Sequence, residues 1–310
     1  MALSVFIDGA AGTTGLEIRE RLAGREEFEL LLLDEAQRKN EAARREALNV
    51  ADVAILCLPD DAAREAVALI ENDATRVIDA SSAHRVSEGW TYGFPELVGR
   101  ERVAGAMRVS NPGCYPTGFL ALVAPLVRAG LVPADWPFTV NAVSGYSGGG
   151  KALIERYESG SAPGFRAYGY DLAHKHLPEM KAHAALAHPV LFAPAVVPVF
   201  RGMIVEVPLH LTAMATDPSS DALEEALTKF YDNSPVVSVR RGKLPSELLL
   251  EPYAEPYDGM KLFVFANEDG SNTRLVARLD NLGKGASGAA VQNLNLMAGL
   301  AETTGLKLDR

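Results

Sequence analysis

The chain enters an apolar run, Leu3–Asp8, almost at once and leaves it through Gly9-Ala10-Ala11-Gly12-Thr13-Thr14-Gly15. No other segment restricts the possible folds as much. Leu16, Ile18 and Leu22 then mark the buried stripe of a helix. Glycines at this spacing, set between a strand and a helix, let the backbone turn tightly and approach a pyrophosphate. The helix N–H groups then face its charge. In that setting dinucleotide binding is favoured over a purely structural turn, and Gly9, Ala11, Gly12, Thr13, Thr14 and Gly15 become candidate cofactor contacts.

The alternation continues. Phe28–Leu33 reads as a buried strand ending at Asp34, Glu35–Asn49 holds a short charged helix, and Val53–Leu58 is a strand. Helix Asp60–Ile70 and strands Arg76–Ala80 and Val103–Ser110 follow. Strands apolar on both faces, separated by helices, indicate a parallel sheet covered on both sides, hence an α/β fold. Asp34 stands where an acid would bind the ribose hydroxyls of NAD. Arg38 and Lys39, just beyond, would instead neutralise the 2′-phosphate of NADP, or are solvated loop charges. The residues leave that choice open.

From about residue 138 the pattern changes to strands with few helices: Phe138–Ser144, Leu191–Pro198, Met203–Leu211 and Val236–Arg240. Lys261–Asn267 and Thr273–Asp280 flank Glu268-Asp269-Gly270-Ser271, a hairpin signal. A mixed or antiparallel sheet in a second domain is expected, with a helix at Asp221–Tyr231 and a final helix at Gly285–Leu300. Length agrees, since 310 residues accommodate two domains.

Charge and cysteine usage limit the partners. A net charge of −10 argues against nucleic acid or an anionic membrane as the main partner. No apolar run reaches the length of a membrane span. Two cysteines, Cys57 and Cys114, are too few for a disulfide framework, which fits a reduced, cytoplasmic setting. Cys57 lies within an apolar strand and reads as a small core residue.

Cys114 differs. It follows Asn111-Pro112-Gly113 and precedes Tyr115-Pro116-Thr117 and a helically spaced run of Phe119, Leu122, Val123, Leu126 and Val127, closed by Gly130. Pro116 suits a first helical turn. Cys114 is therefore expected at a helix N-terminus, where unpaired N–H groups and the positive dipole end favour a thiolate. A nucleotide site plus such a cysteine suggests attack on an activated acyl group, a thioester, and reduction of that thioester to an aldehyde. The reaction needs an acid/base, and His174-Lys175-His176-Leu177-Pro178-Glu179 is the densest polar cluster among six histidines. His176 is the candidate, with Glu179 on the following helix, Glu179–Ala187, to orient its ring. His84, His183, His188 and His210 are weaker choices.

An acidic substrate needs anchors. Ser144-Gly145-Tyr146-Ser147-Gly148-Gly149-Gly150-Lys151, before a helix, offers backbone N–H groups and a lysine for phosphate or carboxylate. Arg201 adds a guanidinium suited to a bidentate carboxylate pair.

Together these motifs resemble the N-acetyl-gamma-glutamyl-phosphate reductase family in its shorter-chain form. The likeness runs through Gly9–Gly15, Asp79–Arg85, Tyr92–Leu97, Asn111–Thr117, Ser144–Lys151, His174–Glu179, Val197–Gly202 and Gly283–Gly288. It implies NADP(H)-dependent reductive dephosphorylation of the small anionic N-acetyl-glutamyl phosphate, with Cys114 as nucleophile, His176 as acid/base and Glu179 beside it. It implies an N-terminal Rossmann domain, residues 1–112, completed by a C-terminal helix at about 284–310. Residues 113–283 would form a glyceraldehyde-phosphate-dehydrogenase-like α+β domain that mediates a homo-oligomer, a dimer or tetramer.

Further residues follow from the resemblance. Arg38, Ser81, Ser82 and Gln292 join the cofactor contacts. Arg85, Asn111, Ser144, Gly145, Ser147, Gly148, Lys151, His174 and Arg201 join the substrate contacts. No metal is expected. The rivals are aspartate-semialdehyde dehydrogenase, which shares fold and cysteine logic, and a dinucleotide-binding redox sensor. Tyr115-Pro116-Thr117 after the cysteine argues against the first, and the His176/Glu179 pair against the second.

Overall fold

A computed structural model describes residues 2–160 and 162–308. In chain order the elements are β1 (Leu3–Asp8), α1 (Thr13–Leu22), β2 (Phe28–Leu31), α2 (Glu41–Val50), β3 (Val53–Leu56), α3 (Asp60–Ala68) and β4 (Arg76–Asp79). Then come β5 (Thr91–Tyr92), α4 (Pro95–Val98), α5 (Arg100–Ala104), β6 (Arg108–Ser110) and α6 (Cys114–Arg128). β7 (Thr139–Gly145), α7 (Gly150–Glu158), β8 (Arg166–Ala167), α8 (Leu177–His183), β9 (Leu191–Val197) and β10 (Met203–His210) follow. The chain continues through α9 (Ser220–Tyr231), β11 (Val237–Val239), β12 (Met260–Ala266), β13 (Asn272–Leu279) and α10 (Gly288–Met297). These elements form two units: Met1–Gly113 with Ala286–Leu306, and Cys114–Gly285 with Lys307–Arg310.

The first unit is a six-stranded sheet in the order β2-β1-β3-β4-β6-β5, parallel at every pairing. Alternate residues of each strand face opposite sides, so a sheet with helices on both faces needs apolar residues at every position. Val5, Ile7, Val53, Ile55 and Ile78 pack against Ile18 and Leu22 of α1 and Val291 and Leu294 of α10. Phe6, Ala54, Leu56 and Val77 pack on the other side against Leu48 of α2 and Ala63 and Ala66 of α3. Strand order reverses between β1 and β3, the crevice where ligands bind in open sheets of this type.

Two expected elements differ here. The run from Val103 is not one strand: Val103 is buried on α5, and only Arg108–Ser110 pairs in the sheet. Apolar Val103 and Val109 share a core, but Gly105 ends a helix between them. The final helix also starts later. Gly283–Ser287 makes a π turn, and the regular helix begins at Gly288.

The second unit is a seven-stranded mixed sheet in the order β11-β12-β13-β10-β7-β9-β8, parallel at β11/β12 and β7/β9 and antiparallel elsewhere. The expected hairpin is present: Ala266 faces Thr273 and Met260 faces Leu279, with Gly270 at φ +71 in the turn. Helix α6 is buried from Tyr115 through Leu126, as a helix apolar all round should be. Gly118 permits its approach to the sheet, since a Cβ there would lie 2.7 Å from Val205 Cγ2. Pro125 sits inside α6 and cannot donate to the Ala121 carbonyl. The Tyr231 hydroxyl of α9 donates to that carbonyl instead, at 2.9 Å.

Candidate active site

The glycine turn of the first unit is built for close backbone approach. Gly9 has φ +87, and a Cβ on it would lie 2.3 Å from the Cys57 carbonyl oxygen at the end of β3. A Cβ on Gly15 would lie 2.5 Å from the Gly9 oxygen. Only glycine fits either position. The Gly12 N–H donates to the Gly9 carbonyl at 2.9 Å, and Gly12 is the residue from which α1 starts. Beside this turn lies a cavity of about 660 Å³, walled by Gly9, Ala11, Gly12, Arg19, Arg38, Lys39 and Arg44 among others. Four cations around a glycine cradle at a helix N-terminus fit a phosphorylated dinucleotide.

Asp34 is not part of that wall. Its carboxylate caps the Gln37 N–H at 2.8 Å, while Arg38 pairs with Glu35 at 2.6 Å. The cavity floor holds Asp8, which accepts both Arg44 Nε and an Arg44 terminal nitrogen at 3.0 and 2.9 Å. Burial pushes the Asp8 carboxyl above the ordinary aspartate range, and Arg44 opposes that shift.

The Ser81-Ser82 turn leaves the C-terminal end of β4. Ser81 donates to Asp79 through its N–H and its hydroxyl, each at 2.8 Å, and Ser82 bonds Asp60 in the same way. His84 Nδ1 lies 2.7 Å from Asp79, with its ring stacked on Trp90 at 4.1 Å. Arg85 Nε donates to the Asn111 carbonyl at 3.0 Å. Asn111 Nδ2 donates to the Ala286 carbonyl at 2.9 Å, and its Oδ1 accepts from Asn293. Arg85 and Asn111 therefore share one buried network of the first unit. Gln292 lies elsewhere: its amide nitrogen donates to Glu96 and Glu302 at 3.0 and 2.7 Å, which ties α10 to α4.

In the second unit Cys114 is the first residue of α6. Tyr115, the next residue, anchors an aromatic cluster. Its ring centroid is 6.1 Å from His174, 5.9 Å from His176 and 5.0 Å from Phe192. The Tyr168 hydroxyl donates to the Tyr115 hydroxyl at 3.2 Å. Burial holds both phenols above their ordinary range, and a Cys114 charge adds to the shift of each. His176 is buried at the N-terminus of α8, and Glu179 is buried in the first turn of that helix. The helix begins at Leu177 and ends at His183, shorter than the expected Glu179–Ala187. Burial holds His174 below the usual histidine range, and the Lys175 charge adds to this.

The loop after β7 departs from expectation. Its first N–H groups are committed: Gly145, Tyr146 and Ser147 donate to the carbonyls of Gly202, Val199 and Phe200. Close approach to that segment, the connection between β9 and β10, also explains Gly145, whose Cβ would lie 2.7 Å from the Phe200 oxygen. The polar side chains of this region are Ser144 and Ser147, both buried, with Gly148 beside them. Arg201 is buried against Asp280 at 3.0 Å. Lys151 stands apart, exposed on α7 and lining an open surface depression with Ile154, Glu155 and Glu158.

Sequence reading passed over Tyr168, Asp280 and Asn281. Tyr168 has no motif of its own, Asp280 read only as the end of a strand, and Asn281 fell just beyond it. Among the described residues no His, Cys, Asp or Glu group is arranged to hold a metal, and no helix is long and apolar enough to cross a membrane.

Comparison with known proteins agrees with this geometry. Residues 4–106 match the family described as "Semialdehyde dehydrogenase, NAD binding domain", and residues 114–281 match "Semialdehyde dehydrogenase, dimerisation domain". Among solved structures, aspartate semialdehyde dehydrogenase II from Vibrio cholerae superposes with a TM-score of 0.68 at 19% identity, over 96% of this chain and 99% of that one. The Francisella tularensis aspartate semialdehyde dehydrogenase gives 0.69 at 14%, over 95% and 99%. These likenesses establish the fold.

Sequence relatives are much closer. N-acetyl-gamma-glutamyl-phosphate reductase of Trichormus variabilis is 50% identical over 97% of this chain and 98% of that protein. The reductase of that name from Brucella ovis is 51% identical over 96% and 100%. With identity of this order over nearly the full length, and with the glycine turn, the helix-opening cysteine and the histidine cluster all in place, the chain belongs to the N-acetyl-gamma-glutamyl-phosphate reductase family.

Proposed function

We propose that the chain reduces N-acetyl-L-glutamyl 5-phosphate to N-acetyl-L-glutamate 5-semialdehyde and phosphate, with NADPH as reductant, as a step of arginine biosynthesis. The observation that carries this reading is Cys114 opening a buried helix, with the His174 and His176 rings and the Tyr168 hydroxyl gathered on Tyr115, the residue after it. The helix terminus stabilises the Cys114 thiolate, which attacks the acyl carbon of the substrate. A C–S bond forms, the C–O bond to phosphate breaks, and phosphate leaves with the electron pair. When bound, NADPH supplies the hydride that takes an acyl thioester to the aldehyde level.

His176 gives a proton to the developing alkoxide and takes it back as the C–S bond breaks, which releases aldehyde and regenerates the thiolate. Glu179 holds that imidazole in place. Gly9–Gly15 cradle the pyrophosphate, with Ser81 and Ser82 further along the same sheet edge, and Arg38 with Lys39 meets the 2′-phosphate. Ser144, Ser147, Gly148 and Arg201 hold an anionic group of the substrate. A cytoplasmic enzyme acting as a homo-oligomer fits the reduced cysteines and the match to a dimerisation domain.

The test is phosphate-dependent oxidation of N-acetyl-glutamate semialdehyde, compared with aspartate semialdehyde, using NADP and NAD in turn. Preference for the acetylated substrate with NADP supports the reading. Faster turnover of aspartate semialdehyde, or turnover independent of phosphate, sinks it.

A further inference from the structure

The turn that follows β13 touches both halves of the second unit's chemistry. Asp280 Oδ2 accepts from Arg201 at 3.0 Å and from the Tyr257 N–H at 3.3 Å, while Oδ1 accepts the Leu282 N–H at 2.9 Å. Asn281 Oδ1 accepts the Gly202 N–H at 2.9 Å, and Nδ2 donates to the Ser147 hydroxyl at 2.8 Å. Both side chains are buried, as are Arg201 and Ser147. Asn281 thus bridges the turn after β7, which carries Ser147, and the connection before β10, which carries Arg201.

The same segment then turns towards the nucleophile. The Gly285 N–H donates to the Asp280 carbonyl at 3.0 Å, which closes the turn on itself. A Cβ on Gly285 would lie 2.9 Å from Cys114 Cβ and 3.0 Å from the Asp280 oxygen. Gly283 is held just as closely, since a Cβ there would lie 1.9 Å from the Tyr257 oxygen. Backbone at Gly285 therefore lies against Cys114, and a Cβ there displaces one of the two.

We propose that Asp280–Gly285 is a positioning segment that sets the anion cradle and the Cys114 thiol in register, a proposal that rests on the catalytic reading above. Asn281 acts through Ser147 and Gly202, and Gly285 acts through Cys114. The anion is an oxyanion, either the phosphate or the carboxylate of the substrate. Two buried hydrogen bonds made by one amide convert a loose loop into a fixed donor set.

Steady-state kinetics of semialdehyde oxidation, with the KM for phosphate and for semialdehyde measured separately, test the Asn281 arm. Asn281→Ala is expected to raise one of the two KM values about tenfold, with kcat changed less than about threefold. A rise for phosphate marks a phosphate cradle; a rise for the semialdehyde marks a carboxylate cradle. Asn281→Asp keeps an acceptor for the Gly202 N–H and a partner for the Ser147 hydroxyl, so it guards against misfolding. A purely structural role predicts that Asp restores both KM values, whereas an anion cradle predicts that its charge raises KM further.

For the other arm, Gly285→Ala is expected to slow alkylation of Cys114 by iodoacetamide about tenfold and to lower kcat, with the anion KM unchanged. Wild-type KM values in both Asn281 variants, or unchanged alkylation in Gly285→Ala, would overturn the proposal. Wild-type protein without phosphate-dependent turnover would instead overturn the catalytic reading, and the alkylation measurement would still decide the Gly285 arm.

Discussion

The backbone N–H of His176 donates to Nδ1 of His174 at 3.2 Å. An imidazole nitrogen that accepts carries no proton, so neutral His174 holds its proton on Nε2. The two rings stand edge to face with centroids 4.7 Å apart. His174 thereby fixes the start of α8 and the residue proposed as acid/base. Protonation of His174 would remove the acceptor and place a charge beside His176.

That arrangement makes stability depend on pH in a definite direction. Burial lowers the His174 value from the ordinary 6.5, so the unfolded chain binds a proton more readily than the folded one. The contribution of neutral His174 is present in full above about pH 6.5 and is lost as the pH falls through the depressed folded value. Thermal midpoints should therefore fall more steeply for wild type than for His174→Phe between about pH 7 and about pH 5. Parallel curves would show that His174 is not the group responsible.

Thiol chemistry should separate the two cysteines. Burial, with the Asp79 and Asp8 charges nearby, pushes the Cys57 thiol up to about 12. At about pH 8 Cys57 should resist iodoacetamide, and labelling should stop at Cys114, as read by peptide mass spectrometry. Cys114→Ser should leave the folded protein unlabelled.

Turnover should collapse without the thiol while cofactor binding survives. Cys114→Ser is expected to lose at least about a thousandfold in kcat, with NADPH affinity by fluorescence titration unchanged. His176→Asn should also lower kcat strongly and remove one limb of the pH–rate profile. A variant that keeps the wild-type profile would exclude His176 as acid/base.

Cofactor choice should rest on the cations of the cavity wall. Arg38→Ala with Lys39→Ala is expected to weaken NADPH about 10- to 100-fold and NADH far less, because charge-assisted bonds to the 2′-phosphate are lost. Asp34→Ala should change neither affinity more than about threefold, since its carboxylate caps the Gln37 N–H. Isothermal titration with both nucleotides gives the answer.

The Tyr231 hydroxyl tests an element of pure architecture. Tyr231→Phe leaves the Ala121 carbonyl, buried within α6 beside Pro125, without its donor. A loss of about 1–3 kcal/mol in denaturant unfolding is expected, with kcat unchanged within about twofold. An unchanged midpoint would mean that the carbonyl finds another partner.

Legibility in the sequence followed how local each signal was. Gly9–Gly15 was readable because the strand, turn and helix adjoin in the chain and each carries its own residue pattern. Cys114 at a helix start was readable for the same reason. Val103 misled, because helix and strand both bury valine, and the break at Gly105 depends on the packing of α5 against the rest of the first unit.

The sequence by itself determined the α/β alternation, the dinucleotide turn, the mixed second sheet and the helix-opening cysteine, since these arise from contiguous periodicity and turn chemistry. Tertiary structure decided which polar groups act together. It spent the N–H groups of Gly145, Tyr146 and Ser147 on the carbonyls of Val199, Phe200 and Gly202 in the connection between β9 and β10. It also set the Tyr168 hydroxyl on that of Tyr115, and Asn281 between Ser147 and Gly202. Such partners lie dozens of residues apart, and a hydrogen bond acts over about 3 Å. Only the folded chain brings them within that distance.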